Sequence, residues 1–280
     1  MIRLLFAALM LMPVAAPASA PETTMLRVMS FNVRLPIDAD GINRWEARRD
    51  IAAAAIRRTR PDVIGTQELH KRQGDDLIAR LPGYAWFGID RRGGHADEHM
   101  GVLYNRATLR LVTFGQFWLS DTPDVPGSIS WGHPYPRMVT WAIFEQVRTR
   151  RRFRLLDTHL PYRAEDEGAR AKGAQMIVDR LRMLPGDDLP TVLTGDFNTT
   201  PDSATYRLLT TALADTRTAA PTRDRPEATF HNYTGMPDRR IDWILATGFT
   251  PVAARTLTDH RGPVWASDHF PVVADLRFSR

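Results

Sequence analysis

Four polar clusters stand where apolar, strand-like runs end. They are Ser30-Phe31-Asn32, Gln67-Glu68, Gly195-Asp196-Phe197-Asn198 and Ser267-Asp268-His269-Phe270-Pro271. His159 closes a further run in Asp157-Thr158-His159-Leu160, and Asp242 lies within Ile241-Asp242-Trp243-Ile244. Scaffolds that mix helices and strands present functional side chains at strand ends. The chain has no cysteine, so any metal must be held by oxygen and imidazole ligands. Oxygen-rich sites favour Mg, Ca or Mn.

Hydrolysis of a phosphate ester needs what these residues offer. The substrate is an anion that repels an attacking water, and a divalent cation neutralises that charge. Glu68 and Asp268 can supply carboxylates to hold the cation, and Asn32 a neutral amide oxygen. Imidazole can orient or deprotonate water near neutral pH when a buried carboxylate fixes its tautomer. Asp242 with His269 is a candidate for that dyad. His159, Asn198 and Arg137 are the available donors to the transition-state oxygens.

Each residue has a plainer reading when taken alone. Asn32 could be a turn or cap residue, and Glu68 a solvated strand end. Gly-Asp-x-Asn could be a tight turn, and Ser-Asp-His a helix cap. Asp242 could be a core carboxylate bound to backbone amides. All of these would have to coincide, each at a strand end, for the constellation to be accidental.

The elements that must position these residues follow from periodicity. Strands are expected at 26–33, 62–68, 85–89, 100–104, 109–118, 138–146, 153–159, 191–194, near Thr229, at 241–245 and at 272–278. Helices are expected at 45–59, 75–81, 165–184 and from Pro201. Residues 121–136 are rich in Pro, Gly and Ser and read as a long structured loop. Helices between sheet-forming runs in both halves predict an α/β fold, two sheets packed together with helices outside and no linker. Trp118, Trp131 and Trp265 are read as core rather than as a wall beside the site.

The N-terminus has the layout of a secretory signal peptide. Arg3 is followed by an apolar run to Ala16 and by Ala18-Ser19-Ala20, small residues suited to cleavage. Residues 1–20 are therefore assigned to a leader and 21–280 to the functional domain. The run is too short to span a bilayer comfortably, so no stable membrane span is expected after cleavage. Export without cysteine suits a bacterial periplasm or exterior. Net charge is +5, falling to +4 with loss of Arg3, which suits an anionic substrate. The run Arg148-Thr149-Arg150-Arg151-Arg152 reads as a solvated turn between two strands.

At these motifs the chain resembles the endonuclease/exonuclease/phosphatase superfamily, from Met29 to Leu276. The superfamily includes pancreatic-type deoxyribonuclease, abasic-site endonucleases and bacterial sphingomyelinases. The resemblance implies a four-layered α/β/β/α sandwich of two mixed sheets. It implies Mg2+ or Mn2+ held by Asn32, Glu68 and Asp268. Asp196 and Asn198 would position the nucleophilic water and the phosphate, and His159 would contact the scissile phosphate. Glu98 would orient His159, and Asp242 would orient His269, a base or a phosphate ligand. Arg137 would bind phosphate.

Phe117-Trp118-Leu119-Ser120-Asp121-Thr122-Pro123 with Pro136-Arg137-Met138-Val139-Thr140-Trp141 resembles a bacterial subgroup to which no physiological substrate is carried over. The expected activity is hydrolysis of a small or lipid-linked phosphate ester. A secreted nuclease is the alternative, with nucleic acid admitted but not favoured. A non-catalytic binding protein on the same fold ranks third. No protein partner is indicated.

Overall fold

The computed structural model describes residues 25–279. The expected leader, residues 1–20, lies outside the described residues. Apolar residues in alternation build the first half: β1 (Met25–Asn32), α1 (Trp45–Thr59), β2 (Val63–Gln67), α2 (Lys71–Arg80), β3 (Tyr84–Phe87), β4 (Val102–Asn105) and β5 (Leu109–Trp118). A long loop leads to β6 (Met138–Gln146) and β7 (Arg152–His159), whose turn carries the arginine run. Next come α3 (Glu167–Arg180), β8 (Thr191–Asp196), α4 (Ala204–Thr210), β9 (Ala214–Asp215), α5 (Thr216–Ala219) and β10 (Thr222–Arg223). The chain continues through β11 (Asp242–Thr247), β12 (Phe249–Thr256), β13 (His260–Arg261), β14 (Val264–Trp265) and β15 (Val272–Phe278).

One sheet runs β10-β12-β15-β1-β2-β4-β3 and the other β5-β6-β7-β8-β11-β9. Both are mixed: β1 pairs β2, and β7 pairs β8, in parallel, while β15 and β11 join them antiparallel. Leu26, Val28, Phe144, Phe153, Val192 and Leu276 fill the space between the sheets. Met29, Phe31 and Ile64 turn the other way and pack on Ile51, Ile56 and Leu77 of α1 and α2. Leu156, Leu193 and Trp243 pack on Ala174, Ile177 and Leu209 of α3 and α4. The layers are α/β/β/α, as the resemblance implies.

A strand shows alternate residues to one face. On β1 the inward series is Leu26, Val28, Ser30, Asn32; on β8 it is Val192, Thr194, Asp196. On β7 it is Phe153, Leu155, Asp157, His159. Each begins apolar and turns polar at the same end. A buried polar layer marks the change. Asp157 Oδ1 accepts from Gln67 Nε2 at 2.7 Å and from Thr194 Oγ1 at 2.8 Å. Gly65 lets the sheets approach there: a Cβ on it would lie 2.0 Å from Thr194 Oγ1 and 2.3 Å from Asp157 Oδ1.

Several boundaries differ from expectation. α2 begins at Lys71, not Asp75, because His70 and Gln73 form a capping box. The helix expected at 165–184 is a 3-10 turn, Ala164–Asp166, followed by α3 ending at Arg180. Residue 229 is in no strand; its hydroxyl instead accepts from the N–H groups of Ile241 and Asp242, bracing the start of β11. β12 was not anticipated at all, since its Thr-Pro-Val-Ala-Ala-Arg stretch alternates weakly. Trp118 is buried beside Met100 and Met138, as core.

Gly65→Ala should lower stability by ~1–3 kcal/mol in denaturant unfolding, the usual cost of overpacking; an unchanged midpoint would contradict the close approach. Asp157 gives a pH test. Burial holds its carboxyl well above the ordinary range, while Oδ2 and Gln67 Oε1 both lack a partner. A proton on Oδ2 removes the buried charge. The native state then binds that proton more tightly than the unfolded chain. The resulting stability is complete below a pH of about 4 and is lost as pH rises through the raised native value. Asp157→Asn cannot ionise, so it should lose less stability than wild type between about pH 4 and about pH 7. Parallel stability curves for the two proteins would argue against a protonated Asp157.

Candidate active site

Register brings the polar strand ends together. His159 and Asp242 flank Asp196 on neighbouring strands, and Asn32 lies beside Gln67 with Glu68 next in the chain. Asp268 and His269 precede β15, and the Asp268 carbonyl accepts from His231 and Asn232 N–H groups. Glu68, Glu98, Arg137, His159, Asp196, Asn198, Asp268 and His269 line one cleft of about 530 Å³. Asn32 and Asp242 are buried behind its wall.

His269 sits between two carboxylates. Its Nδ1 is 2.9 Å from Asp242 Oδ2 and its Nε2 is 3.7 Å from Asp196 Oδ2. Burial opposes a charge on this ring, but Asp242 and Asp196 outweigh it and hold His269 well above its ordinary value. His159 Nε2 lies 3.5 Å from the same Asp196 oxygen. Burial, followed by Arg137 and Arg91, keeps His159 well below its ordinary value, hence neutral. Glu98 Oε2 is 3.8 Å from His159 Nδ1, an approach longer than a hydrogen bond. Both atoms lack a hydrogen-bond partner, as does Arg137 Nη1. Asn198 Nδ2 donates to the Leu160 carbonyl at 3.0 Å, and one further N–H remains to it.

Asn32 departs from expectation. Its Nδ2, not its oxygen, faces the acids, donating to Glu68 Oε1 at 3.1 Å and to Asp196 Oδ2 at 2.9 Å. Oδ1 accepts from the Arg34 N–H at 2.9 Å. The Glu68 and Asp196 carboxylates attract the amide hydrogens. A cation beside Glu68 would instead favour the amide oxygen on that side.

Electrostatics test whether a divalent cation fits. Burial, then the Glu68 charge, push Glu98 up to about 7. Burial also raises Asp268, with Glu68 adding to it and His269 opposing. Crowded, buried carboxylates of this kind are relieved by a hard cation, and oxygen donors match one. Asp196, Asp242 and His269 also bring ligand atoms within 4.8 Å of one another. That group is already engaged internally, because His269 Nδ1 is committed to Asp242. Glu68 and Asp268 line the cleft, whereas Asp242 is buried behind it, so the cation fits best beside the first two.

Sequence reasoning missed Arg34, Arg91, Tyr135, Tyr162, Phe230, Asn232 and Arg239, which complete the lining. Only Arg34 carried a signal, standing two residues beyond Asn32. The others come from loops, whose course periodicity does not encode. Tyr135 and Tyr162 have ring centroids 6.4 Å apart and are 38% and 54% exposed at the cleft mouth, and the Arg91 guanidinium lies over the Tyr135 ring, 4.6 Å from its centroid. Three residues just beyond strand ends, Arg34, Glu68 and Asn198, have φ of 55°, 58° and 52°. Non-glycine residues adopt this left-handed region rarely, and such strain gathers at functional sites.

The profile of the Endonuclease/Exonuclease/phosphatase family matches residues 29–269. The fold resembles a crystal structure of an endonuclease/exonuclease/phosphatase from Bacteroides vulgatus, at 30% identity and TM-score 0.86, covering 91% of this chain and 99% of that one. It also resembles a mannosyl-6-phosphatase from Bacteroides thetaiotaomicron, at 30% identity and TM-score 0.83, covering 90% and 100%. An uncharacterized protein of Acanthamoeba polyphaga mimivirus is 28% identical over 184 residues, 62% of this chain and 67% of that protein. With its two-sheet sandwich and its acid and histidine cleft, this chain belongs to the endonuclease/exonuclease/phosphatase family and is a phosphoesterase hydrolase.

Proposed function

We propose that the protein is an exported, divalent-metal-dependent hydrolase of small phosphate esters, with phosphorylated sugars or related polyols as the substrate class. The observation that carries this is convergence: side chains from five strand ends meet in one cleft of small-molecule size, about 530 Å³. The mannosyl-6-phosphatase neighbour, at 30% identity over nearly its whole length, supports the substrate class. So does Tyr162, whose exposed ring at the cleft mouth suits the face of a sugar ring. Among the described residues, no helix is long and apolar enough to cross a membrane.

Glu68 and Asp268 would hold Mg2+ or Mn2+, with Asn32 joining once its amide oxygen turns inward. When bound, that ion supplies charge neutralisation and polarises a phosphoryl oxygen. Asp196 and Asn198 would orient the attacking water. His269, fixed at Nδ1 by Asp242 and held charged by the two acids beside it, would present Nε2–H as a phosphate ligand. Neutral His159 and the unpartnered Arg137 Nη1 face the cleft as donors to phosphoryl oxygens. Glu98, close to His159 Nδ1, would hold that ring once the cleft fills.

A panel of sugar, inositol and lipid phosphates beside plasmid DNA and RNA, each with Mg2+, Mn2+ and Ca2+, should show turnover on sugar phosphates. Activity on nucleic acid that falls steeply with salt would replace this reading with a nuclease. Failure to hydrolyse any ester would leave a binding protein. Asp196→Ala and His269→Ala should each lower kcat by roughly 10²–10⁴-fold with the fold retained by circular dichroism. Wild-type turnover in either would remove its assigned role.

A further inference from the structure

We propose that Arg34 is a fixed second cation of the cleft, so that the site takes one divalent ion per chain rather than two. The inference rests on the reading of Glu68 and Asp268 as metal ligands.

The Arg34 guanidinium stands at both acids. Its Nη1 is 3.9 Å from Glu68 Oε2 and its Nε is 3.8 Å from Asp268 Oδ2. These are ion-pair separations, too long for hydrogen bonds. The charge is therefore felt by both carboxylates without filling their near lone pairs. Two-metal phosphoesterases place their ions roughly 3.5–4 Å apart, sharing carboxylates between them. An ion sharing these carboxylates would lie about 2.0–2.2 Å from their oxygens; the Arg34 guanidinium, nearly 4 Å from the same oxygens, sets a fixed positive charge beside that position.

The group is built in rather than resting there. On its far side Arg34 pairs with both oxygens of Asp40, at 3.1 and 3.2 Å. Asp40 is itself held by the Tyr233 hydroxyl at 3.1 Å. The backbone wraps the same acids: the Arg34 N–H reaches Asn32 Oδ1, and the Leu35 N–H reaches Glu68 Oε2 at 2.9 Å. That wrap needs the left-handed φ of 55° at Arg34. Because Asp40 anchors the guanidinium, an ion entering beside Glu68 and Asp268 breaks none of its hydrogen bonds. A second ion would meet an anchored positive charge and two carboxylates already shared.

Mn2+ titration of the metal-stripped full chain, by calorimetry and electron paramagnetic resonance, decides the matter. The expected result is one Mn2+ per chain with the spectrum of an isolated ion. Two ions of comparable affinity with a spin-coupled spectrum would overturn the role of Arg34 while leaving the ligand assignment standing. No binding at all would remove the ligand assignment and this inference with it. Arg34→Gln takes away a neighbouring positive charge and should tighten Mn2+ binding about tenfold or more. Arg34→Lys should keep the wild-type affinity. Unchanged or weaker binding in a folded Arg34→Gln protein would also overturn the proposal, and the wild-type stoichiometry decides it if that variant does not fold.

Discussion

The constraint on which the structure depends is the burial of ionisable side chains between two sheets. Burying a charge is costly unless a partner or a proton compensates it. The chain meets this cost in stages along one axis. At one end the sheets meet through Phe, Leu and Val side chains, which set their spacing. Next comes the Gln67-Asp157-Thr194 layer, where close approach is allowed by Gly65. Only beyond that floor do Asp196, His159 and His269 appear, each still buried but facing the cleft. The apolar end supplies rigidity, and the polar floor separates it from charges that would otherwise disrupt it.

The same staging explains why opposite and like charges are interleaved in the cleft. His269 lies between Asp242 and Asp196, and Arg91 Nη1 stands 2.9 Å from Glu98 Oε2. That ion pair is close, but Glu98 Oε2 still lacks an aligned hydrogen bond. Arg137 Nη1 and His159 Nδ1 are likewise unsatisfied. Buried polar atoms without partners are uncommon in folded proteins. All three lie beside the one cleft, where a bound ligand can meet them. The site is organised for a charge distribution that its own side chains leave incomplete, and such preorganisation is the larger part of electrostatic catalysis.

What the sequence disclosed, and what it withheld, follow from this arrangement. α1 and β15 match their expected bounds because Pro61 stops the one and Pro271 stands just before the other. Glu98 had no signal beyond the resemblance, whereas the candidate residues Asn32, Glu68, His159 and Asp196 were legible because each stands where an apolar run ends. The inner position of Asp157 was not, since one carboxylate inside a strand reads like any other. The mouth was not legible either. Tyr135, Tyr162 and Arg239 lie on loops, and nothing local says that segments so far apart share a rim. Asn32 was legible as a residue but not as a geometry, because the direction of its amide is set by Glu68, Asp196 and the Arg34 N–H together.

Backbone strain joins these strands of reasoning. Arg34, Glu68 and Asn198 leave three different strands, yet all take the left-handed conformation as the chain enters the cleft. A strand continued in extended form would carry the next side chain out of the space between the sheets. The left-handed residue instead turns the backbone so that N–H groups point back at the acids. Leu35 N–H meets Glu68, and Asn198 N–H meets Asp196 Oδ1 at 3.0 Å. Conformational strain of order 1–3 kcal/mol at each turn is offset by hydrogen bonds to buried carboxylates. Those bonds leave the acids held in place but not neutralised. An acid cluster fixed by amides, and prevented from relaxing away from its own repulsion, keeps its negative charge concentrated at the cleft as a property of the fold.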